Sequence, residues 1–534
     1  MKIKRHFFSK TFVMFLFILS VMTINNVNGQ NQNIKNDIFW NDNEGKPLNS
    51  QGGGIFKFPD PITGEIKYYW YGVHYEEANS YRNAPYITYP NATFHSVNCY
   101  SSTDLVNWKF EGDVITKDEV NKSGRTWVGR LGVAFVKELN KYALFVQHGS
   151  EVLITVSDSP TEKFIWHQKI NMEKMIGTSN TGDQTVFTDE DTGKSYLIYS
   201  YGKGRNKIYV SEIGVKDGKV NLLDCTQIFK GESREGNCMF KYKDKYYMYA
   251  SNIYGWDGSF AYYLVADDIR GPYLPANEML VTKGSSEDFA HVSQTGFFVS
   301  VKGSKQETIV YCGDRWSDFA GNGLGYNQWC PMSFDGSVPY FNSLSSWNIN
   351  AKTGTWKVAK DNNYVMNGSF EADRRYMPSP VKPVQIKLTG WNDEVIEGNK
   401  IGLDSINSPV INYFNTEADR KIAIGEKSLN ISDKINFKRK MFQTITSSPY
   451  VKLENGVYNL TAKVKNTSGF KNLEMYVVSN GKRLKYTIEQ ENTSWKTISI
   501  LNITVKGEKV EIGFLADGMA NTSCQIDDVV FVRK

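Results

Sequence analysis

The sequence predicts an all-β protein, a five-bladed β-propeller followed by a jelly-roll-like β-sandwich. Three observations carry this prediction: helical periodicity is almost absent, one pair of aromatic strands recurs five times, and the recurrence stops near Trp347. The 534 residues suffice for two or more domains, and an aromatic content of 14% is typical of pleated sheets.

The first 29 residues have the pattern of a secretory signal peptide. Four basic residues precede an apolar run at 11–24 that is too short to span a bilayer, and small polar residues follow up to Gly29. We expect cleavage near Gly29 and a secreted or periplasmic protein, with a short membrane anchor as the alternative. Cleavage would lower the formal net charge from +5 to +1, so the charge favours neither nucleic acid nor membrane insertion.

The five copies of the strand pair predict the propeller over residues 30–350. In each copy an aromatic, β-branched strand is followed by a second strand, and the copies begin about 50 to 75 residues apart. Five small antiparallel sheets around a central channel explain this repeat, whereas a β-sandwich would not. The first strands of the copies lie at 67–72, 141–149, 194–202, 245–251 and 307–314.

A change of pattern marks the second domain. A polar linker at 351–363 leads into alternating strands and polar turns over 364–534, with strands expected at 456–466 and 510–515. Such a region forms its own core and is not a sixth blade.

Two acidic residues precede the strands of neighbouring blades. Asp183 stands before the third blade's strand and Glu235 before the fourth. Because inner strands of a propeller converge on its channel, we expect the two carboxyl groups to lie at one rim. Glycoside hydrolysis needs such a pair: a protonated acid donates to the leaving oxygen, and a second group activates water or balances the charge.

Seven short phrases occur in a fixed order, at blade spacing, across residues 38–350. They are Gln51-Gly-Gly-Gly with Tyr-Trp-Tyr-Gly, Cys99-Tyr-Ser-Ser-Thr-Asp-Leu-Val-Asn-Trp, Asp183-Gln-Thr-Val-Phe, Arg234-Glu-Gly-Asn-Cys-Met-Phe, Gly271-Pro-Tyr, Ser293-Gln-Thr and Gly313-Asp-Arg-Trp. Together they make this region resemble glycoside hydrolase family 43, and more closely its exo-β-1,3-galactanase-like branch. The resemblance implies an inverting hydrolase, with Glu235 as the general acid and Asp183 as the residue that tunes it.

The family's catalytic base has no direct match. Where the family commonly has an Asp on the first blade, this chain has glycines at 52–54. In the branch a fifth-blade Gln is proposed to take over, and Gln294 fits that position. A neutral amide is a poor base, so Gln294 is expected to position or activate the water, with Glu287 and Asp288 as rival bases.

Two departures from the branch bear on the sugar. Where branch members carry two glutamates that grip galactose hydroxyls, this chain has Val73 and Gly129. A site built to hydrogen-bond a hydroxyl discriminates strongly, so the loss of two acceptors indicates another sugar.

We therefore predict an exo-acting glycoside hydrolase that releases β-D-xylose, or next α-L-arabinofuranose, from a plant or algal polysaccharide. An insertion at 75–94 is expected to narrow the pocket as a rim loop. An exo-β-1,3-galactosidase acting on arabinogalactan-type galactan and a non-catalytic glycan-binding propeller are the alternatives.

Five more residues are candidates for substrate binding, each with a structural alternative. Trp70 and Trp256 would stack on a sugar ring, or pack within a blade. Arg130 and Arg315 would hold hydroxyls or orient the two carboxylates, or form structural ion pairs. His291 corresponds loosely to a family histidine near the channel that can sit beside an ion, although a lone histidine is more often structural.

The C-terminal domain resembles carbohydrate-binding modules of the galactose-binding-like type. Its opening phrase ends at Glu371 and its closing phrase contains Asp527. In some such modules residues at these places hold a structural Ca²⁺, which prefers oxygen ligands. The resemblance thus implies a calcium site at this pair, and no cofactor for catalysis. Sugar binding and mechanical support of the propeller both remain open as roles for this domain, as does the oligomeric state.

Overall fold

Strand-forming sequence dominates both parts of the chain, and the computed structural model arranges it as small sheets followed by two larger ones. This confirms the predicted propeller and sandwich. The predicted signal peptide lies outside the described residues, and no helix within them is long and apolar enough to cross a membrane. The structure describes residues 33–124, 127–149, 151–285, 288, 292–317, 322–372, 388–399, 411–412, 415–421, 425, 427–507 and 509–534.

Five antiparallel meanders form the blades, and the strands of each follow one another in chain order. A fifth strand in blade 3 pairs with its third strand. The strands are, in blade 1, Gln51–Pro59, Ile66–Tyr75, Phe94–Ser102 and Lys109–Thr116; in blade 2, Leu131–Val136, Lys141–Gln147, Val152–Ser157 and Ile165–Ile170; in blade 3, Thr181–Asp189, Lys194–Tyr201, Lys207–Lys216, Lys219–Leu222 and Thr226–Lys230; in blade 4, Glu235–Tyr242, Lys245–Ser251, Ala261–Ala266 and Leu280–Val281; and in blade 5, Gln294–Lys302, Glu307–Ser317, Asn322–Asp335 and Val338–Phe341.

The first strand of each blade is its inner strand. These five strands contact one another in the order of the blades, and the strand of blade 5 contacts that of blade 1 again. This closed ring surrounds the channel and brings the beginnings of all five inner strands to the same end. The aromatic strands recognised in the sequence are the second strands of the blades, one position further out.

The N-terminal segment fixes the start of the chain to the end of the propeller. Ile34–Lys35 pairs with Ser346–Asn350, just after blade 5. The amide of Asn36 donates to the carbonyls of Trp329 (2.8 Å) and Leu344 (2.7 Å), and its oxygen accepts from the Trp329 N–H. These bonds hold the ring closed.

The predicted linker is more ordered than expected. Within 351–363, Thr355–Val358 forms a strand that pairs with Ser346–Asn350. Because its neighbours are polar and it spans only four residues, the composition gave no sign of this edge strand.

A cluster of tryptophans joins blades 1 and 5, and Trp70 lies at its centre. Trp70 is 0% exposed. Its ring centroid is 4.9 Å from that of Trp329 and 5.2 Å from that of Trp108. The prediction that Trp70 stacks on a sugar is therefore wrong, since no face of the ring is free.

The C-terminal domain packs two five-stranded antiparallel sheets around one apolar core. Strands close in sequence alternate between the sheets, as in a jelly roll. The first sheet contains, in spatial order, Asn392–Glu397, Phe437–Thr446, Lys509–Gly518, Phe470–Ser479 and Lys482–Thr487; the second contains Ile411–Asn412, Ser428–Ser432, Ser523–Arg533, Gly456–Asn466 and Asn492–Val505.

The sandwich contacts the rim insertion of the propeller. Arg420 Nε donates to the backbone carbonyl of Tyr86 (3.0 Å), and Lys421 Nζ lies 5.1 Å from the centroid of the Tyr86 ring. Arg82 in turn binds the insertion to the N-terminal segment at Trp40. The helices of the described residues are short: Ala78–Asn83 in the insertion, Lys117–Asn121, Glu173–Ile176 and Glu417–Arg420, with a 3₁₀ turn at Lys137–Leu139.

The packing of Trp70 makes a stability prediction. Trp70→Ala should lower the free energy of unfolding of the propeller by about 3–5 kcal/mol, because a large buried ring leaves a cavity. Denaturant unfolding followed by fluorescence measures the change. Trp256→Ala is the matched control, since Trp256 is 37% exposed and its loss should change stability by less than about 0.5 kcal/mol. Equal losses for the two variants would contradict the placement of Trp70.

Candidate active site

The beginnings of the inner strands supply the predicted catalytic residues. Glu235 is the first residue of its strand in blade 4, Gln294 is the first in blade 5, and Asp183 is the third in blade 3. All three side chains are buried. The structure thus brings together at one end of the channel residues that are more than a hundred positions apart in sequence.

Irregular pairing at these strand beginnings aims the side chains. In four of the five blades the register of the inner strand shifts within its first few residues, and each shift encloses a glycine. Such bulges commonly redirect side chains next to active sites. At Gly236, φ is +63° and an added Cβ would lie 2.5 Å from the carbonyl oxygen of Thr295. Only glycine lets Glu235 enter the channel here.

Glu235 is held by one amide and one guanidinium. Its Oε1 accepts a hydrogen bond from Gln294 Nε2 at 2.8 Å, and its Oε2 forms an ion pair with Arg205 Nη1. Burial, and next the negative charge of Asp183, raise the pKa of Glu235, and they outweigh the opposing effects of the arginines. Its carboxyl group therefore tends to keep its proton near neutral pH.

The pKa of Asp183 is shifted in the opposite direction, below its ordinary value. Burial by itself raises the pKa of Asp183, but Arg205, Arg130 and the Gly236 N–H outweigh it, so the pKa is lowered. Its Oδ2 accepts from the Gly236 N–H at 2.8 Å, and its oxygens lie 3.4 Å from Arg205 Nη1 and 3.7 Å from Arg130 Nε. Two carboxyl groups at one site thus differ in charge because their neighbours differ.

Arg130 ties three blades together beneath the carboxyl groups. Its Nη1 forms an ion pair with Asp314, and its Nη2 donates to Gln294 Oε1 at 2.9 Å. Asp314 in turn accepts from the N–H of Gly52 at 3.1 Å, in the stretch where the family carries its base. The orienting role considered for Arg130 fits these contacts, while contact with a sugar hydroxyl stays a prediction.

Gln294 has both ends of its amide occupied. Its oxygen accepts from Arg130 and from Trp316 Nε1 (2.9 Å), and its nitrogen donates to Glu235. The 2.8 Å contact with Glu235 is much shorter than the roughly 6.5–9.5 Å between the acid and base of inverting glycosidases. The action of Gln294 on water stays a prediction, and it requires this contact to open around a substrate.

The rival bases Glu287 and Asp288 stay predictions. Glu287 lies outside the described residues. Asp288 is buried and accepts a hydrogen bond from Ser343 Oγ at 3.1 Å, while the hydrogen bonds to Glu235 described above come from other residues.

Three predicted substrate-binding residues remain, Trp256, Arg315 and His291. Trp256 is partly exposed and its ring stands edge-on to that of Trp316, 5.0 Å between centroids, so it lies beside the site. Arg315 forms an ion pair with Glu371 of the sandwich at 3.8 Å rather than with Asp183 or Glu235. His291 lies outside the described residues.

An aromatic ring covers the position of the missing blade-two glutamate. A Cβ at Gly129 would lie 2.4 Å from Trp127 Cη2 and 2.8 Å from Gln147 Oε1, so a side chain there would require both of these side chains to move. Trp127 itself is 47% exposed. Val73, in place of the other glutamate, is buried beneath the rim insertion beside Tyr75. Both carboxylates of the branch are thus replaced by apolar groups.

The predicted metal pair lies in the sandwich. Glu371 and Asp527 are both buried, and the ammonium of Lys427 approaches Glu371 Oε2 to 3.4 Å. Across the described ranges, no group of three or more His, Cys, Asp or Glu residues is arranged to hold a metal ion.

Sequence reasoning missed four residues of the site: Arg205, Asp314, Trp316 and Trp127. Strand alternation could have identified Asp314 and Trp316, because residues two apart share a face and Arg315 between them points to the other. Arg205 stands in a glycine-rich turn at positive φ, and only the folded chain brings it to the two carboxyl groups.

Residues 77–327 match the family model of glycosyl hydrolases family 43. A search of curated proteins returned no match.

Solved structures give the same fold. An exo-β-1,3-galactanase from Phanerochaete chrysosporium with galactose has a TM-score of 0.53 at 19% identity, over 93% of this chain and 100% of that one. An exo-β-1,3-galactanase from Clostridium thermocellum has a TM-score of 0.52 at 24% identity, over 61% of this chain and 68% of that one. These structures share the fold of this chain. Most of the propeller, residues 77–327, is therefore similar to glycosyl hydrolases family 43.

Proposed function

We propose that the protein is an exo-acting glycoside hydrolase in which Glu235 is the general acid. One observation carries the proposal: a buried carboxyl group whose pKa is raised lies beside a charged carboxylate at the mouth of the channel. A general acid must hold its proton near neutral pH and release it to the leaving oxygen. Glu235 meets the first requirement because it is buried and because Asp183 stays ionised next to it.

The neighbours of Glu235 support the second requirement. When Glu235 gives its proton to the glycosidic oxygen, it becomes a carboxylate. Arg205 Nη1 and Gln294 Nε2 already point at its two oxygens, so they stabilise the charge as it develops. Donors placed in advance at a developing charge favour the transition state over the ground state.

Gln294 is better suited to hold the water than to deprotonate it. Both lone pairs of its oxygen are taken by Arg130 and Trp316, so the amide has no acceptor left for a proton. Its nitrogen has a second hydrogen with which to donate to a water oxygen. Gln294 therefore orients the attacking water and does not take its proton.

The apolar replacements support a pentose at the non-reducing end, with β-D-xylose first and α-L-arabinofuranose next. Without carboxylates at positions 73 and 129, a hexose loses two acceptors for its hydroxyls. The ring of Trp127 offers a surface for the apolar face of a sugar instead. An exo-β-1,3-galactosidase is the second candidate, because the similar folds include exo-β-1,3-galactanases crystallised with galactose and β-1,3-galactotriose.

The remaining parts of the proposal concern place and substrate. The leader at residues 1–29 supports secretion or export to the periplasm. A polysaccharide of plant or algal origin outside the cytoplasm is then the substrate. The rim insertion, which packs against the N-terminal segment, supports attack at chain ends.

Sugar release from a panel of xylosides, arabinofuranosides and β-1,3-galacto-oligosaccharides tests the proposal. We expect one monosaccharide to be released, and Glu235→Gln to lower its release by about 100-fold or more because the acid is lost. Glu190→Gln, in the turn at the far end of blade 3, is the control and should act as wild type. Galactose as the product would favour the second candidate. Glycan binding without any release would refute catalysis.

The pH profile tests the pairing of the two carboxyl groups. The negative charge of Asp183 raises the pKa of Glu235, so Asp183→Asn should lower that pKa and let Glu235 lose its proton at lower pH. The alkaline limb of kcat/KM against pH should then move about one pH unit or more downward, beside any loss of rate. Asp191→Asn, in an exposed turn, should leave the limb in place. An unchanged alkaline limb in Asp183→Asn would show that the charge of Asp183 does not raise the pKa of Glu235.

The exposed ring over Gly129 gives a specificity test. Trp127→Ala should lower kcat/KM for the preferred substrate by about tenfold, the effect of roughly 1.4 kcal/mol of lost contact. The pH profile should stay that of the wild type, because Trp127 contacts neither carboxyl group. Phe135→Ala, an exposed ring on the same blade, is the control. Equal activities of the two variants would show that Trp127 does not contact the substrate.

A further inference from the structure

A buried cluster of opposite charges lies where the sandwich meets the propeller. Lys427 is 1% exposed, Glu371 2% and Arg315 8%. Lysine is almost never fully buried unless its charge is paired. This cluster therefore has a structural task that composition does not reveal.

Glu371 is the centre of the cluster. Its Oε1 accepts from the backbone N–H of Lys427 at 2.8 Å. Lys427 Nζ lies 3.4 Å from Glu371 Oε2 and 3.3 Å from the Glu371 carbonyl oxygen, and Arg315 Nη2 lies 3.8 Å from the same Oε2. The carboxylate is thus shared by one cation from the sandwich and one from the propeller.

The same carboxylate is half of the calcium site that the sequence implies, so the fit of an ion can be tested. In favour, Oδ2 of the buried Asp527 has no hydrogen-bond partner among the described residues. Against, Ca²⁺ takes six to eight oxygen ligands, and the described chain assembles no cluster of metal-binding side chains. An ammonium and a guanidinium beside Glu371 would also repel a divalent cation. The described residues around Glu371 and Asp527 do not fit calcium.

We infer that the ammonium group of Lys427 takes the place of a structural metal ion in the sandwich. It supplies the positive charge that Glu371 requires, and it does so from the residue immediately before the strand Ser428–Ser432. The start of that strand is thereby fixed to the segment through which the chain enters the sandwich. Because this ammonium group is part of the chain, it cannot dissociate from the site or be removed by a chelator.

The cluster also joins the two domains. Arg315 follows Asp314, the partner of Arg130 in the active site. Glu371 therefore links the strand start in the sandwich to the second strand of blade 5. This link needs no metal and does not depend on which sugar the propeller cleaves.

Calorimetry of the full-length protein tests the inference directly. Excess EDTA and millimolar Ca²⁺ should each leave the thermal transitions unchanged, and a calcium titration should show no binding at the sandwich. A fall in the transition temperature with EDTA that calcium reverses would overturn the inference.

Variants of the charge pair give the second test. Lys427→Met should lower the transition of the sandwich by roughly 5–15 °C, because a buried carboxylate loses one of its two cationic neighbours. Glu371→Gln combined with Lys427→Met should recover part of that loss, since the buried carboxylate is then neutral and the remaining cost is the lost pair with Arg315. Lys463→Met is the control, because Lys463 forms a partly exposed pair with Asp528 at 2.9 Å and should shift the transition little.

The outcomes are decisive even where a variant fails to fold. If Lys427→Met gives no folded protein, the double variant replaces it, and its recovery supports the inference. A wild-type transition in Lys427→Met, or a double variant as unstable as the single one, would contradict it.

Discussion

Two guanidinium groups allow two carboxyl groups to share the end of the propeller channel. Without Arg130 and Arg205, Asp183 and Glu235 would repel each other in a poorly hydrated place, and both would tend to protonate. The arginines do not act equally: both flank Asp183, whereas Arg205 alone reaches Glu235. This asymmetry, together with the Gly236 N–H on Asp183, separates the pKa values of the two groups. As a result, Glu235 can act as an acid beside the negative charge of Asp183.

The propeller makes this arrangement by bringing the beginnings of five strands to one point. A sheet alone would turn alternate side chains into the spaces between blades, as it does with Trp70. The glycine-containing bulges interrupt that alternation where the inner strands begin. Polar groups then enter the channel, while aromatic residues further out in the same blades pack in the apolar cores. Backbone irregularity therefore positions the chemistry, and regular pairing further along provides the rigidity.

The sequence was sufficient for features that depend on order along the chain. Five strand pairs predicted the ring, and the positions of Asp183 and Glu235 before their strands predicted that these two would meet. Gln294 was predicted from the family resemblance. The sequence did not predict features that depend on the direction of a side chain or on a partner distant in sequence. Trp70 stands in a strand of the right kind but faces a neighbouring blade, and Lys427, in an ordinary polar stretch, becomes a counter-ion only when Glu371 is folded against it.

The contacts of the sandwich bear on how the two domains act together. It reaches the propeller through Glu371, beside the strand that carries Asp314, and through Arg420, which holds the carbonyl of Tyr86 in the rim insertion. Both points lie on structures that border the catalytic end of the channel. A domain fixed only by its ends would leave the rim free to move, whereas these bonds restrain the insertion and the blade at once. Through these bonds the sandwich contributes to the shape of the mouth of the channel.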